Sequence, residues 1–304
     1  MQLIVLIPIY HDWIPASHLI REIDNLTTNE DVHVVIVNDS AETYNNELDS
    51  CRVGLNKISK VSVLNWKINV GNQCSIALGI KYILNELSFD AAIIMDGDGE
   101  DNVQDIPRLI NEYKKFDGKK MVVAKRGQRS ESLVFRICYR VYRFIFKFLT
   151  EHEIRWGHYS IIPRVELARI SAIPELELHF PASLLKHKIV VTEILSHRTK
   201  RIAGKPKTNF VFLITHAFRS FAIFFNVIMV RFLKAGIFAI VMGILASIFL
   251  DKGKIIVFGI LILLGLFLNI IAFFITMIKT QYLLNSTSDH KKYVNDFKTV
   301  YVKS

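Results

Sequence analysis

Short apolar runs alternate with amphipathic stretches along roughly the first two hundred residues of the chain. The runs are rich in β-branched residues, which predicts strands buried on both faces of a sheet. The stretches between them repeat apolar residues at helical spacing. We therefore expect an α/β domain with a mostly parallel sheet. Predicted strands cover residues 3–7, 32–37, 61–64, 91–95 and 121–124, and predicted helices cover 17–25, 73–87 and 106–115.

Two long apolar segments distinguish the C-terminal part of the chain. Residues 235–250 and 255–278 contain no charged side chain. A run of about 20 apolar residues spans a bilayer as a helix, so we expect two transmembrane helices at about 231–250 and 255–278. Lysines and arginines flank the pair on its outer sides, which predicts that both termini and the large N-terminal domain are cytoplasmic. Residues 1–8 lack the features of a signal peptide. The pattern predicts a multi-pass protein of the inner, cytoplasmic membrane.

Polar segments follow each of the first four predicted strands. Because the carboxyl ends of parallel strands meet at one edge of a sheet, we expect these segments to form one rim. They read Pro8-Ile9-Tyr10-His11-Asp12, Asn38-Asp39-Ser40, Asn69-Val70-Gly71-Asn72 and Asp96-Gly97-Asp98-Gly99-Glu100-Asp101.

The fourth segment is the most acidic, with carboxylates at 96, 98, 100 and 101. Carboxylates prefer hard divalent cations such as Mg²⁺ or Mn²⁺, whereas zinc prefers histidine and cysteine. The segment therefore predicts a divalent metal site that would bind a diphosphate. The alternative is an acidic turn without a ligand, because glycines at 97 and 99 suit a tight turn.

In this order, the four segments resemble those of family 2 glycosyltransferases with the GT-A fold. With two C-terminal spans, the chain is similar to membrane-bound polyprenyl-phosphate glycosyltransferases related to dolichyl-phosphate mannose synthase. The resemblance extends over roughly residues 1–230. It implies transfer of a sugar, with inversion, from a UDP- or GDP-sugar donor to a lipid acceptor such as polyprenyl phosphate. Mg²⁺ or Mn²⁺ would be the cofactor.

The resemblance also implies roles for single residues. Those expected to bind the nucleotide are Pro8, Tyr10, Asp12, Asp39, Asn69 and Gly71. The expected metal ligands are Asp98 and Glu100. The group expected to take part in catalysis is Asp96, Asp98, Arg126 and His158.

The chain departs from the family pattern at several of these positions. Asp12 stands where the family usually has Glu, Asn38 where it has Asp, and Glu100 where it has Gln. These changes leave the identity of the nucleotide base undetermined and alter the charge near the metal.

His158 stands where the family has an Asp that was proposed as a base. An alcohol acceptor needs such a base, whereas a phosphate monoester is already largely ionised at neutral pH. His158 is either that base or a structural histidine.

Basic residues predict a membrane surface as a partner. Formal net charge is +10, and a predicted interface helix at about 133–149 carries Arg136, Arg140, Arg143 and Lys147 on one stripe. Single-stranded nucleic acid could bind such a stripe, but the apolar spans favour membrane lipid and no nucleic acid. A solvated surface helix is the plainer alternative.

Residues 198–207 add five cations, expected to bind phosphate or anchor the chain at the bilayer. The expected acceptor and phosphate ligands are Arg136, Arg140, Lys205 and Lys207.

The predicted organisation is a GT-A catalytic domain at 1–206, a juxtamembrane amphipathic helix at 207–230, the two spans within 231–278 and a basic cytoplasmic tail at 279–304. Two other functions stay open. One is transfer to a saccharide hydroxyl in cell-surface polysaccharide synthesis, and the other is a catalytically silent membrane scaffold that binds a nucleotide-sugar. Homo-oligomerisation is also left open.

The three cysteines have no metal-binding spacing and suit a reducing compartment.

Overall fold

A computed structural model describes residues 1–26, 29–41, 54–127, 133–203, 210–249, 259–260, 262–271, 273–274 and 290–303. The chain divides into two compact units. The sheet unit comprises Met1–Glu131, Ile154–Lys207 and Ser286–Ser304, and the helical unit comprises Ser132–Glu153 and Thr208–Asn285. The chain therefore enters the helical unit twice and returns to the sheet unit at its C-terminal end.

The described strands are β1 Gln2–Ile9, β2 Asp31–Asn38, β3 Ile58–Trp66, β4 Ala91–Ile94, β5 Met121–Arg126, β6 Trp156–Pro163, β7 Val191–Ser196 and β8 Val294–Val302. The described α-helices are α1 Trp13–Asp24, α2 Asn72–Glu86, α3 Ile106–Lys115, α4 Leu133–Thr150, α5 Arg164–Ser171, α6 Phe180–Lys186, α7 Phe210–Ile223 and α8 Phe225–Phe249. All five predicted strands and all three predicted helices of the α/β domain are present. The predicted interface helix corresponds to α4.

The strands form one sheet in the order β7-β5-β6-β4-β1-β2-β3-β8. β1 runs parallel to both β2 and β4, β2 parallel to β3, and β5 parallel to β7. β6 runs antiparallel to β4 and β5, and β8 runs antiparallel to β3. The sheet is therefore mixed, with four parallel pairings among the seven between described strands, which agrees with the expectation of a mostly parallel sheet. The sequence pattern did not predict the two antiparallel strands.

Successive side chains of β1 point into two different cores, as the continuous apolar run predicted. Leu3 and Val5 pack on the face covered by α1 and α3, whereas Ile4 and Leu6 pack on the face covered by α2, α5 and α6. Burying each such side chain contributes roughly 1.5–3 kcal/mol to the stability of the folded state. The two cores fix the strand ends, and with them the loops at the edge of the sheet.

The last strand, β8, is formed by residues that the sequence analysis had assigned to a basic tail. It lies at one end of the sheet beside β3. The hydroxyl of Tyr301 donates to the carbonyl of Leu55 at 3.1 Å, and the rings of Tyr82 and Phe297 lie 5.1 Å apart. The C-terminal segment is thus an integral part of the sheet unit.

The helical unit is held by aromatic packing. The ring of Phe146 lies 5.5 Å from that of Phe221 and 5.6 Å from that of Phe224. The hydroxyls of Tyr142 and Ser220 are 2.8 Å apart. These contacts join α4 to α7 and to the residue between α7 and α8.

Many apolar side chains of the helical unit are exposed. They include Phe144, Phe148, Phe238, Leu263 and Phe267. In the described part of the chain, no single helix is both long and apolar enough to cross a membrane. Residues Leu213–Ile223 and Phe225–Ala239 meet this requirement only as a pair, bent by 82°.

The predicted transmembrane hairpin is not confirmed. Its first span, 231–250, falls almost entirely within α8, which begins at Phe225 after the break at Phe224. Its second span, 255–278, lies partly outside the described residues, and the apolar helix Ile262–Ile271 is the part described. The predicted boundary before the first span, at residue 230, lies after the observed break at Phe224.

Candidate functional site

The loops after β4, β1, β2 and β3 lie side by side at one edge of the sheet, as the sequence predicted. Parallel pairing puts the ends of these strands in register: Ile9 pairs with Asn38, and Asn38 pairs with Asn65. The backbone N–H of Asp39 donates to the carbonyl of Ile9 at 2.9 Å, which joins the first two loops. The four polar segments therefore form one continuous rim.

Asp39 joins the second loop to the third. Its two carboxylate oxygens accept hydrogen bonds from the backbone N–H groups of Val70 at 2.8 Å and Gly71 at 2.9 Å. Gly71 has a φ of +83°, which favours glycine. Burial raises the pKa of Asp39 to about 6, although the two backbone hydrogen bonds oppose this. Asp39 is thus a buried acid that changes charge close to neutral pH.

The other residues expected to bind the nucleotide lie on the same rim. Pro8 is buried in β1, while Tyr10 and Asn69 are exposed. Gly71 contributes its N–H to Asp39. Asp12 is half-buried and contacts Arg201, as described below.

The acidic loop, residues 95–101, folds back against β1. The backbone N–H of Asp96 donates to Oδ2 of Asp101 at 2.9 Å, and that of Glu100 donates to Oδ1 of Asp98 at 2.9 Å. A Cβ at Gly97 would lie 2.8 Å from the carbonyl oxygen of Pro8. Only glycine permits this approach, so the glycine that suggested a turn in the sequence is required by packing.

His158 lies beside the acidic loop because β6 runs antiparallel to β4. Its Nε2 atom is 3.0 Å from Oδ1 of Asp96, and the residue is buried. Burial alone would lower the pKa of His158, but the charges of Asp96 and Asp101 raise it. Burial opposes ionisation of Asp96, yet His158, Arg198 and Arg126 hold the pKa of Asp96 well below its usual range. Both pKa shifts therefore favour the charged forms, an imidazolium at the buried His158 and a carboxylate at the partly exposed Asp96.

A short segment after β7, residues 198–203, closes over the acidic loop, and we call it the arginine strap. Arg198 contacts the carboxylates of Asp96, at 3.3 Å, and Glu100. Arg201 contacts Asp98 at 2.9 Å and Asp12 at 2.7 Å. Two guanidinium groups thus bind carboxylates from the first and fourth loops of the rim.

Backbone contacts hold the strap in place as well. The N–H of Thr199 donates to the carbonyl of Glu100 at 3.0 Å, and that of Ile202 donates to the carbonyl of Asp98 at 3.1 Å. The side chain of Ile202 lies directly over Gly99, where a Cβ would approach it to 2.5 Å. The absence of a side chain at Gly99 therefore allows the strap to close.

The electrostatics of the acidic loop depend on these cations. Burial and then the charge of Asp96 raise the pKa of Asp98, and the Arg201 contact offsets part of this cost. Burial and Asp96 also raise the pKa of Asp101. Ion pairing with arginine lowers the energy of carboxylates that burial makes unfavourable. Any divalent cation that binds here must compete with the strap.

Two sets of side chains could hold a divalent metal. Asp98 and Glu100, the predicted pair, offer carboxylate oxygens that suit Mg²⁺ or Mn²⁺, and both now contact arginines. Asp96, Asp101 and His158 form a second set, whose ligand atoms lie within 4.8 Å of one another. In this second set His158 would have to lose its proton first. The chemistry of the first set fits the predicted cofactor more simply.

The remaining predicted residues are distributed over both units. Arg126, at the end of β5, lies against Gly157, where a Cβ would be 2.7 Å from its guanidinium. Arg140 is exposed on α4 of the helical unit. Arg136 also lies on α4, and Lys205 and Lys207 lie outside the described residues.

Three residues at the site had no assigned role in the sequence analysis. Arg198 and Arg201 belong to the basic segment whose phosphate role was assigned to Lys205 and Lys207. Asp101 was read only as one more carboxylate in the acidic loop. The cluster of five cations within ten residues could have indicated a functional segment. The sequence could not show that its arginines contact carboxylates about a hundred residues earlier in the chain.

No family model matches the sequence. A bactoprenol glucosyl transferase of Shigella phage SfX is 27% identical over 216 residues, which cover 69% of this chain and 68% of that protein. A prophage bactoprenol glucosyl transferase homolog of Escherichia coli (strain K12) is 26% identical over 218 residues, which cover 69% of this chain and 67% of that protein.

Among solved structures, the chain is similar to glucosyl-3-phosphoglycerate synthase from Mycobacterium tuberculosis in complex with Mn²⁺, uridine-diphosphate-glucose and phosphoglyceric acid. The TM-score is 0.50 at 12% identity, and the match covers 75% of this chain and 79% of that chain. At this identity the likeness concerns the fold alone. Together with the mixed α/β sheet, it supports the GT-A fold, and the sequence relatives support a glycosyltransferase.

Replacing Gly99 by alanine should displace the arginine strap. The backbone at Gly99 has a φ of +84°, and the new Cβ would collide with Ile202. Backbone strain alone costs roughly 1–2 kcal/mol, so we expect tryptic cleavage after Arg198 or Arg201 to accelerate by about fivefold or more. Limited proteolysis followed by mass spectrometry measures this.

Gly54→Ala is the matched control. Gly54 has a φ of +88°, but a Cβ there would meet nothing within 4 Å. This variant carries the backbone strain without the collision and should leave cleavage of the strap unchanged. Equal acceleration in both variants would show that the Ile202 contact does not hold the strap.

Proposed function

We propose that the chain is a glycosyltransferase that moves a sugar, with inversion, from a UDP- or GDP-sugar to polyprenyl phosphate at a membrane. The observation that carries the proposal is the acidic loop at the rim, bound by the two arginines of the strap. Such a set of carboxylates and guanidinium groups suits a metal-bound diphosphate. The sequence relatives named bactoprenol glucosyl transferase support a polyprenyl-phosphate acceptor.

The donor would occupy the rim from Asp39 to the acidic loop. Asp39 would accept a hydrogen bond from the base, with Tyr10 exposed beside it for stacking. Arg198 and Arg201 can each exchange a carboxylate for a phosphate oxygen, because a guanidinium binds both groups with the same geometry. The strap would then open to admit the donor and close on its diphosphate.

A divalent ion, Mg²⁺ or Mn²⁺, held by Asp98 and Glu100 would stabilise the negative charge that develops on the leaving diphosphate. Arg126 lies near Asp96 and His158 and can share this role. Asp98 and Glu100 would be able to hold the ion once Arg201 and Arg198 exchange these carboxylates for phosphate oxygens of the donor.

The state of His158 favours a phosphate acceptor over a saccharide hydroxyl. A hydroxyl acceptor needs a group that takes its proton, but the charge of Asp96 raises the pKa of His158, which favours the protonated imidazole over the neutral form that a base needs. A phosphate monoester has a second pKa of about 6 and attacks without a base at neutral pH. His158 would then hold Asp96 in place and balance its charge.

The helical unit would bind the lipid surface. Its exposed apolar side chains include Phe144 and Phe148 on α4, next to the exposed Arg140. Apolar residues beside cations suit an interface with anionic lipid. We propose that the protein is an integral, multi-pass protein of the cytoplasmic membrane with its sheet unit in the cytoplasm.

Asp98→Ala should abolish metal-dependent transfer, and His158→Ala should not. Loss of the metal ligand is expected to lower transfer of labelled sugar into extractable lipid by about 100-fold or more. His158→Ala should keep the rate within about tenfold, whereas loss of a general base would cost about 10²–10⁴-fold. Mn²⁺ binding, followed by electron paramagnetic resonance, should fall in Asp98→Ala and persist in His158→Ala.

Asp117→Ala is the control, since Asp117 is exposed on the surface; it should change neither measurement. If His158→Ala loses Mn²⁺ binding while Asp98→Ala keeps it, the metal binds at Asp96, Asp101 and His158. If His158→Ala keeps Mn²⁺ but loses transfer, the acceptor is a hydroxyl and the proposed acceptor is wrong.

Nucleotide affinity should fall below about pH 6. The pKa of Asp39 is about 6, so its carboxylate is ionised above that pH and accepts a hydrogen bond from the base. Each unit of pH below the pKa reduces the ionised fraction by about tenfold. Calorimetric titration with UDP and GDP between pH 5 and pH 8 should show this decrease. The Asp39→Asn variant should bind the nucleotide more weakly at every pH, without the decrease below pH 6. The same decrease in the variant would show that Asp39 does not cause it.

A further inference from the structure

One polar residue from each of three neighbouring strands lies at the same level of the sheet. Asn38 of β2 pairs in register with Asn65 of β3, which pairs with Asp296 of β8. Nδ2 of Asn38 donates to Oδ1 of Asn65 at 2.7 Å, and Nδ2 of Asn65 donates to Oδ1 of Asp296 at 2.5 Å. We call these three residues the asparagine relay. It connects the C-terminal strand to the rim.

The two ends of the relay fix its direction. The carboxylate of Asp296 only accepts hydrogen bonds, so Asn65 must turn its NH₂ group toward it. At the other end, Oδ1 of Asn38 accepts from the backbone N–H of Ser40 at 3.1 Å, which only donates. Each amide therefore has one orientation that satisfies every partner. Both asparagines are fully buried, so an amide group without a hydrogen-bond partner here would destabilise the fold.

The relay ends at the loop expected to bind the nucleotide. The backbone N–H of Ser40 donates to Oδ1 of Asn38, and Oγ of Ser40 accepts a hydrogen bond from the backbone N–H of His11 at 2.9 Å. Asp39 lies between Asn38 and Ser40 in the chain. The relay thus sets the backbone around Asp39 and connects it to the first loop.

We propose that Asp296 is a positioning residue for the donor nucleotide, acting through Asn65 and Asn38 on the Asp39 loop. This inference rests on the proposed function, because it takes the rim as the nucleotide site. It makes the C-terminal strand, reached only after the chain has passed through the helical unit, part of donor recognition.

The relay also gives a reason for Asn38, where the resembling family has an aspartate. An aspartate at position 38 would set an oxygen against Oδ1 of Asn65. If Asn65 turned over, its own Oδ1 would face the carboxylate of Asp296. Either orientation places two acceptors in contact. An asparagine at position 38 is therefore required by the carboxylate at position 296.

Three variants test the relay: Asn38→Asp, Asp296→Asn and the two combined. Asn38→Asp should weaken binding of UDP or GDP with Mn²⁺ by about tenfold, because one buried acceptor is left opposed to another. Asp296→Asn alone should weaken this binding by about two- to threefold, because the amide oxygen still accepts from Asn65 but a neutral acceptor holds the relay less strongly than a carboxylate does. In the double variant Asn65 can turn over and accept from the new amide, so affinity should return to within about threefold of the wild type.

Hydrogen exchange gives a readout that needs no nucleotide. Amides in residues 10–12 and 38–41 should exchange faster in Asn38→Asp and regain protection in the double variant. A double variant as impaired as Asn38→Asp in affinity and exchange would overturn the relay, and so would an Asn38→Asp protein that behaves like the wild type.

The two proposals fail in different ways. If the wild type binds neither UDP nor GDP while exchange is rescued, the nucleotide site is wrong and the positioning role falls with it, although the relay itself stands. If the wild type binds a nucleotide and the double variant is not rescued, only the relay is wrong.

Discussion

The acidic loop concentrates negative charge at the end of a buried strand, and this charge needs cations close by. Asp96, Asp98, Glu100 and Asp101 lie within six positions of the chain, and burial raises the energy of their ionised forms. Asp96 is balanced by His158 from β6 and Arg198 from the strap, and Asp98 by Arg201. The antiparallel insertion of β6 and the closure of the strap both serve this balance. The rest of the rim is arranged around it.

The same balance suggests how ligands could be recognised. Guanidinium groups that neutralise carboxylates can instead bind phosphate, and carboxylates released by them can bind a hard cation. A metal-bound diphosphate would give the arginines a phosphate partner and the carboxylates a cation. A metal or a diphosphate alone would give a new partner to only one of these groups. In the proposed function His158 would stay with Asp96, and an acceptor that is already ionised would attack without a base. Donor choice would then depend on the whole rim, to which Asn65 and Asn38 connect the C-terminal strand.

The sequence predicted those parts of the structure that depend on local pattern. Continuous apolar runs revealed the central strands, and parallel pairing placed Asp39 and the acidic loop on one rim. The edge strand β8 could not be recognised in this way, because Lys298 and Asp296 interrupt its apolar pattern and its pairing with β3 spans more than two hundred residues. The strap was missed for a related reason, since the partners of Arg198 and Arg201 are set by tertiary contact. The apolar C-terminal segments were clear in the sequence, but the break at Phe224, whose ring contacts Phe146 of α4, has no local sequence signal.

The chemical identity of the acceptor distinguishes the proposed function from transfer to a saccharide. Membranes containing the protein would be supplied with polyprenyl phosphate and either UDP-glucose or GDP-mannose, and the lipid products would be identified by mass spectrometry. We expect a hexose joined to the phosphate of the polyprenyl chain, formed in the absence of any saccharide acceptor. A hexose found only on a saccharide hydroxyl, with polyprenyl phosphate left unmodified, would contradict the proposed function.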